Sequence, residues 1–190
     1  MFIHIDLDAF FISAAATIDK SLIGKKAAVA SGNKFDIFGD YHECGIILSA
    51  TYEARAMGIS CAMHSSLAKK LCPEIIIVQT DFALYHKLSN SLYNLLLNYT
   101  NEIEKYSIDE YFIGLTGTRF NSNPLEFANK RKFGINNKLN LPCSIGIAPN
   151  KLLAKLATDI AKPSKIYQIT NPKEIENLQI CKLPGVGKSL

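Results

Sequence analysis

The chain has no apolar run approaching the ~18 residues that a membrane span needs. It also has no basic flank ahead of an apolar core at its start, so neither a span nor a signal peptide is expected. It has no pair of cysteines at CxxC spacing. Its five cysteines, Cys44, Cys61, Cys72, Cys143 and Cys181, are odd in number, which suits reduced thiols in a cytoplasmic protein better than a disulfide framework. There is no internal repeat and no low-complexity segment. There is no Walker loop either: the Gly-Lys-Ser at 187–189 lacks a glycine five positions earlier, where Lys182 stands. Any handling of phosphate must therefore come from separate side chains and metal.

What is present is enough for a folded body. At 190 residues, 48% of them hydrophobic and 20% charged, the chain can bury a core as one large domain or two small intimate ones. A formal charge of +4 permits a polyanionic partner without demanding one. Residues 2–8 alternate, with Ile3, Ile5 and Leu7 on one side and Phe2, His4, Asp6 and Asp8 on the other, which predicts a strand. A helix follows, with Asp8 a candidate cap. Short strands are expected at 25–31, 45–50 and 75–80, a turn-rich loop between the first two, and short helices at TYEARAMG, stopped by Gly58, and SSLAKKLCP, stopped by Pro73. Phe82, Tyr85, Leu88, Leu92, Leu95 and Tyr99 recur at helical spacing and predict a core stripe on a helix from Asp81 to about Tyr99. Two strands around a tight reversal follow at 102–115, then a helix within 124–138, a strand at LPCSIGIA, a helix ended by Pro163 and a last strand at SKIYQIT. The order is a strand, a mainly helical insert, then β-α-β-β-α-β-α-β. It predicts an α+β fold built on a split βαβ, ferredoxin-like sheet with helices on one face.

The carboxylates carry the chemistry. Two aspartates at i and i+2 on one strand face lie about 7 Å apart. Ionised together they repel, so either one takes a proton or a cation sits nearby. Asp109 and Glu110 add two more acids at the later reversal, and a split βαβ sheet can bring that reversal beside the end of the first strand. Such convergent hard oxygens are what magnesium prefers, and two ions can serve an attacking and a leaving oxygen together. The bland alternatives are a helix cap plus a surface acid, and an ordinary hairpin turn. A phosphatase that uses the first Asp of DxD as nucleophile usually has Gly-Thr next, whereas Ala9-Phe10-Phe11 follows here. For phosphate oxygens, Tyr52 and Arg55 share one helix face, where Arg55 either meets phosphate or pairs with a local acid. Lys162 ends a helix, where it either meets phosphate or balances the helix dipole.

Five strings in order resemble the N-terminal catalytic part of a Y-family, translesion-type DNA polymerase: DLDAFF at 6–11, SATYEARAMGI at 49–59, YSIDEYF at 106–112, SIGIAPNKLLAKLATDIAKP at 144–163 and LPGVGK at 183–188. The resemblance implies a right-hand polymerase: palm from 1–9 and 80–170, small fingers from 10–79, and at 171–190 the start of a thumb, truncated within its helix-hairpin-helix turn. It also implies that the chain is a fragment or short form lacking most of the thumb and a C-terminal DNA-gripping domain. Asp6, Asp109 and Glu110 would be the catalytic, metal-binding carboxylates, with the Leu7 carbonyl a further ligand and Asp8 a supporting acid. Two magnesium ions are implied, with manganese as a substitute. Phe11 would be the steric gate against a ribose 2′-hydroxyl. Phe10, Phe11, Ser49, Tyr52, Arg55 and Lys162 would contact the nucleotide, Leu48 would roof the incoming base, and Gly185 and Gly187 would grip the DNA backbone. The implied partners are primer-template DNA, deoxynucleoside triphosphates and a sliding clamp reached through a region absent here, with no membrane. The sequence departs from the family pattern at Ser13-Ala14-Ala15-Ala16-Thr17, where many relatives carry a glutamate, at Gly114, where an acid is common, and in a longer loop at 32–44. The expected activity is template-directed DNA synthesis in damage bypass. The competing expectations are a palm-like nucleotide cyclase and a non-catalytic DNA-binding fragment.

Overall fold

The computed structural model describes residues 1–32, 45–176, 178, 179, 183 and 186. The chain divides into two compact units, one of Met1–Asp8 with Ser89–Leu190 and one of Ala9–Leu88.

The first unit is built on a five-stranded sheet. Its strands are β1 (Phe2–Leu7), β5 (Ile103–Lys105), β6 (Glu110–Gly114), β7 (Cys143–Ala148) and β8 (Ile166–Gln168), in the order β5-β6-β1-β7-β8. β1 is central and antiparallel to both neighbours, so its alternation sets two faces. Ile3 and Ile5 lie opposite Ile113 and Tyr111 on β6 and opposite Ile147 and Ile145 on β7. Helix α4 (Phe82–Leu97) covers that face: the buried Tyr111 hydroxyl bonds Ser89, and its ring stacks on Tyr93. Helix α5 (Pro124–Leu139) packs against the turn that follows α4, through Phe127 and Tyr99. These two helices of the split motif share a face as expected. Helix α6 (Lys151–Ala161) lies on the other, over His4, Phe112 and Ala148.

α6 comes unusually close to the sheet. A Cβ built on Gly146 would stand 2.0 Å from the Ala154 carbonyl oxygen and 2.4 Å from the Thr158 nitrogen. Only glycine permits that approach.

The second unit is less helical than expected. Its strands β2 (Ala27–Ser31), β3 (Ile46–Ala50) and β4 (Ile76–Gln79) form a separate sheet in the order β3-β2-β4, antiparallel on one side and parallel on the other. The strand at 75–80 therefore belongs to the insert's own sheet, not to the large one. Helices α1 (Phe10–Ile18), α2 (Tyr52–Ala56) and α3 (Ser65–Leu71) complete the unit. Gly58, at φ +86°, follows α2, a left-handed position that suits glycine.

Two expectations need correction. Asp8 does not cap α1, whose N-cap is Ala9 in the left-handed region with no side-chain bond. The α4 core stripe is shifted: its buried residues are Tyr85, Ser89, Leu92 and Leu96, whereas Phe82 is 56% and Tyr99 37% exposed. The loop at 33–44, the cysteines Cys44 and Cys181, and Gly185 and Gly187 lie outside the described residues. Among those described, Cys61, Cys72 and Cys143 are free thiols, and no helix is long and apolar enough to cross a membrane.

Candidate active site

The end of β1 gathers the acids. Asp6 lies opposite Glu110 on β6 and Ser144 on β7. The Leu7 N–H donates to the Asp109 carbonyl at 3.1 Å, which ties the later reversal to the first strand. Ser107 shapes that reversal: its hydroxyl donates to Asp109 Oδ1 at 2.6 Å and accepts the Glu110 N–H at 3.1 Å. Asp6 and the adjacent pair Asp109 and Glu110, about a hundred residues apart in sequence, thus come to one strand end.

Two lysines of the α6 segment answer them. Lys162 Nζ stands 2.5 Å from Asp6 Oδ2, and Lys155 is ion-paired with Glu110. A third, Lys151, pairs with Glu104 at the sheet edge. Lys151 and Lys155, four residues apart, share one face of α6 toward acids of β5 and β6, and Lys162, just past the helix end, meets the acid of β1. Lys155 was not anticipated, although this spacing was visible in PNKLLAKLATDIAK.

The carboxylates respond unequally. Burial pushes Asp6 up to about 7; Lys162 opposes the rise, and the neighbouring Asp109 and Glu110 reinforce it. Burial also pushes Glu110 up, but Lys155 outweighs it and the net shift is downward. His4, buried beside them, is held down at about 3 by burial despite the pull of Glu110. Its Nδ1 lies 2.9 Å from the Thr158 hydroxyl, which has the Ala154 carbonyl as acceptor at 3.0 Å. The other ring nitrogen, Nε2, faces Glu110 Oε1 at 3.7 Å.

Asp8 has a different task from Asp6. It is 1% exposed and accepts the Ser144 hydroxyl at 2.8 Å and the Ser164 N–H at 2.8 Å. The two aspartates of DxD are therefore not equivalent: one faces a lysine, the other fastens the segment that carries that lysine.

The donor set at the strand end is hard oxygen throughout, and the burial and carboxylate repulsion that raise Asp6 are what a divalent cation offsets; in chemistry the residues fit one. Among the described residues, no three His, Cys, Asp or Glu side chains are gathered as a metal cage. At Asp6 and Glu110 the counter-charges are the lysines.

The other anticipated residues lie in the second unit. Phe10 is buried, and Phe11 is half-buried with its ring 4.7 Å from that of Tyr85. Leu48 and Ser49 are neighbours on β3; Leu48 is half-buried, and the Ser49 hydroxyl is buried with no hydrogen-bond partner among the described residues. On α2, whose first turn is capped by Thr51, the Arg55 guanidinium lies 4.8 Å from the Tyr52 ring centre. Arg55 Nε donates to the Ala50 carbonyl at 3.0 Å, and no acid among the described residues pairs with it. Its remaining donors are thus available to an anion.

A five-stranded sheet bearing paired acids at one strand end, with an inserted α/β unit, is the class of fold shared with Y-family polymerase structures. The chain belongs to the impB/mucB/samB family, the Y-family polymerases, whose model matches residues 5–159. It is 37% identical over 188 residues to DNA polymerase IV 1 of Bacillus subtilis, covering 97% of this chain and 44% of that protein. To DNA polymerase IV of Pseudomonas syringae pv. tomato it is 36% identical, covering 98% of this chain and 52% of that one. Among solved structures, DinB from Sulfolobus solfataricus superposes with a TM-score of 0.86 at 31% identity, over 98% of this chain and 54% of the other. An insertion ternary complex of Dbh DNA polymerase gives the same TM-score, identity and coverage. The chain spans about half the length of the curated relatives it matches.

Proposed function

We propose that the chain is the palm (1–9 and 80–170), the fingers (10–79) and the beginning of the thumb (171–190) of a template-directed translesion DNA polymerase. The observation that carries this is the meeting of Asp6, Asp109 and Glu110 at the end of β1, tied by the Leu7–Asp109 backbone bond. Family membership and relatives named DNA polymerase IV support it. In the reaction a primer 3′-oxygen attacks the α-phosphate of a deoxynucleoside triphosphate, and pyrophosphate leaves.

Asp6, Asp109 and Glu110, with the Leu7 carbonyl, would hold two magnesium ions, or manganese in their place. When bound, the ions supply charge neutralisation at the reacting oxygens. Lys162, drawn off Asp6, offers a cation to the triphosphate, as does Arg55 beside Tyr52, with Ser49 as a further donor. Phe11 stands as the gate against a 2′-hydroxyl and Phe10 lends its turn's backbone, with Leu48 as the roof over the base. The Asp8–Ser144–Ser164 bonds hold the backbone that presents Lys162. Gly185 and Gly187 would grip DNA phosphates. A sliding clamp is the proposed processivity partner and the cytoplasm the proposed compartment.

Primer extension by the full-length protein, with magnesium and a primed template, tests the proposal. Extension that disappears in Glu110→Ala supports it. Full-length protein that binds primed DNA and extends nothing refutes it, as does cyclic nucleotide formed from ATP without a template.

A further inference from the structure

A charged cavity lies in the first unit, at the far end of the sheet from the carboxylates. β6 leaves Glu110 and ends at Gly114, opposite Phe2. The next residue, Leu115, donates to the Met1 carbonyl, and the Met1 ammonium reaches Asn121 at 3.3 Å. Four residues of strand, ~13 Å, separate this end from Asp6 and Glu110.

The cavity has a volume of about 350 Å³ and is bounded by Arg119, Phe120, Glu126, Phe127, Lys130 and Arg131, with Asn123 at its edge. That size is within the range of small-ligand sites. Its one carboxylate is already engaged, because Glu126 accepts from Lys130 at 2.5 Å and from Asn123 at 2.8 Å. The two arginines are not neutralised: among the described residues neither has a carboxylate partner. Arg119 lies 5.0 Å over the Phe120 ring. Arg131 lies 3.2 Å over Tyr99 and 5.1 Å from Phe127, and its Nε is buried with no hydrogen-bond partner. Phe120, half-buried and backed by the buried Phe127 at 4.7 Å between ring centres, gives the cavity an aromatic wall.

Two unpaired guanidinium groups at one concavity leave charge-assisted donors unused, and a buried donor without a partner is costly. An oxyanion would satisfy them, and a flat ring attached to it would stack on the phenyl wall and the guanidinium planes. We infer that this cavity binds a small phosphate-bearing ligand with a planar ring, a nucleoside monophosphate in chemical class, independently of the polymerase site.

Titration calorimetry of the chain with AMP, inorganic phosphate and adenosine, all without divalent cation, tests this. AMP binds more tightly than phosphate or adenosine. Arg119, exposed on its loop, is replaced without loss of fold, and Arg119→Ala weakens AMP by about tenfold, the scale of a lost charge-assisted pair. Amide resonances of residues 119–131 shift on adding AMP, whereas those of Tyr52–Ala56 stay in place. The inference is overturned if the chain does not bind AMP, if Arg119→Ala binds it unchanged, if phosphate alone binds as tightly, or if the shifts fall at Tyr52–Ala56 instead.

Discussion

Gly146→Ala is the sharpest probe of how the carboxylates acquire their lysines. The added methyl would meet the Ala154 carbonyl oxygen at 2.0 Å, the Thr158 nitrogen at 2.4 Å and the Thr158 hydroxyl at 2.5 Å. Two of these three atoms are backbone, so no rotamer change relieves them. To restore even 3.0 Å, α6 must withdraw from β7 by about 1 Å. The helix carries a tightly packed face of Leu153, Ala154, Leu156 and Ala157 against Phe112 and Ala148, so the retreat opens that interface along its length. Overpacking of this kind costs typically 1–3 kcal/mol, and the backbone contacts put this case near ~3. Urea unfolding of the wild-type and variant chains measures it. The retreat also lengthens the His4–Thr158 bond and draws Lys155 away from Glu110, which imidazole resonances of His4 report. A variant within about 0.5 kcal/mol of wild type, with His4 unchanged, would refute the close approach of α6.

Three further outcomes are expected. His4 is held neutral by burial, with its pKa near 3 against 6.5 when unfolded, so the unfolded chain takes up a proton first; stability falls as pH drops from about 6.5 toward 3. The loss is at most roughly 5 kcal/mol, and a His4 imidazole found to titrate near 6.5 in the folded chain would contradict it. Asp8→Ala strips the Ser144 hydroxyl of its acceptor and leaves the Ser164 N–H with only the Ser144 oxygen, and costs about 1–3 kcal/mol in thermal or chemical unfolding, whereas a surface position would cost next to nothing. On the proposed function, Phe11→Ala in the full-length protein raises ribonucleotide incorporation by about a hundredfold relative to deoxynucleotide, and unchanged selectivity would remove Phe11 from the gate.

The sheet was legible because its signals are local. Alternation marked β1, apolar runs marked β6 and β7, and turn residues marked their ends. Pairing is not local, and the strand at 75–80 shows the consequence: its composition suits either sheet, and only its parallel pairing with β2 assigns it to the smaller one. α4 shows a related limit. Its helical period was plain, but which side is buried depends on partners, and the polar Ser89 lies in the buried stripe because Tyr111 supplies a hydroxyl to bond. At the site, Asp6, Asp109 and Glu110 could be named from their motifs, yet Lys155 was passed over. A lysine four residues along a helix has many ordinary uses, and its value here arises only from the register that sets Glu110 beneath it. Gly146 was invisible for the same reason, since its missing side chain matters only where another helix crosses.

The two aspartates of the first strand act on each other through the backbone. Asp6 is nine-tenths buried among other acids and stays charged only so far as Lys162 is held against it. Lys162 stands just past the end of α6, where the helix no longer fixes its direction. Two residues on, the Ser164 amide is bound by both Asp8 and the Ser144 hydroxyl, and Ser144 is itself the cross-strand neighbour of Asp6. The chain leaving α6 is thus pinned to the strand that presents the acid. Removing Asp8 should therefore raise the Asp6 pKa further, although the two carboxylates repel and simple Coulomb reasoning predicts a fall. A carboxyl titration by NMR that finds Asp6 lowered in Asp8→Ala would show that direct repulsion outweighs the positioning of Lys162.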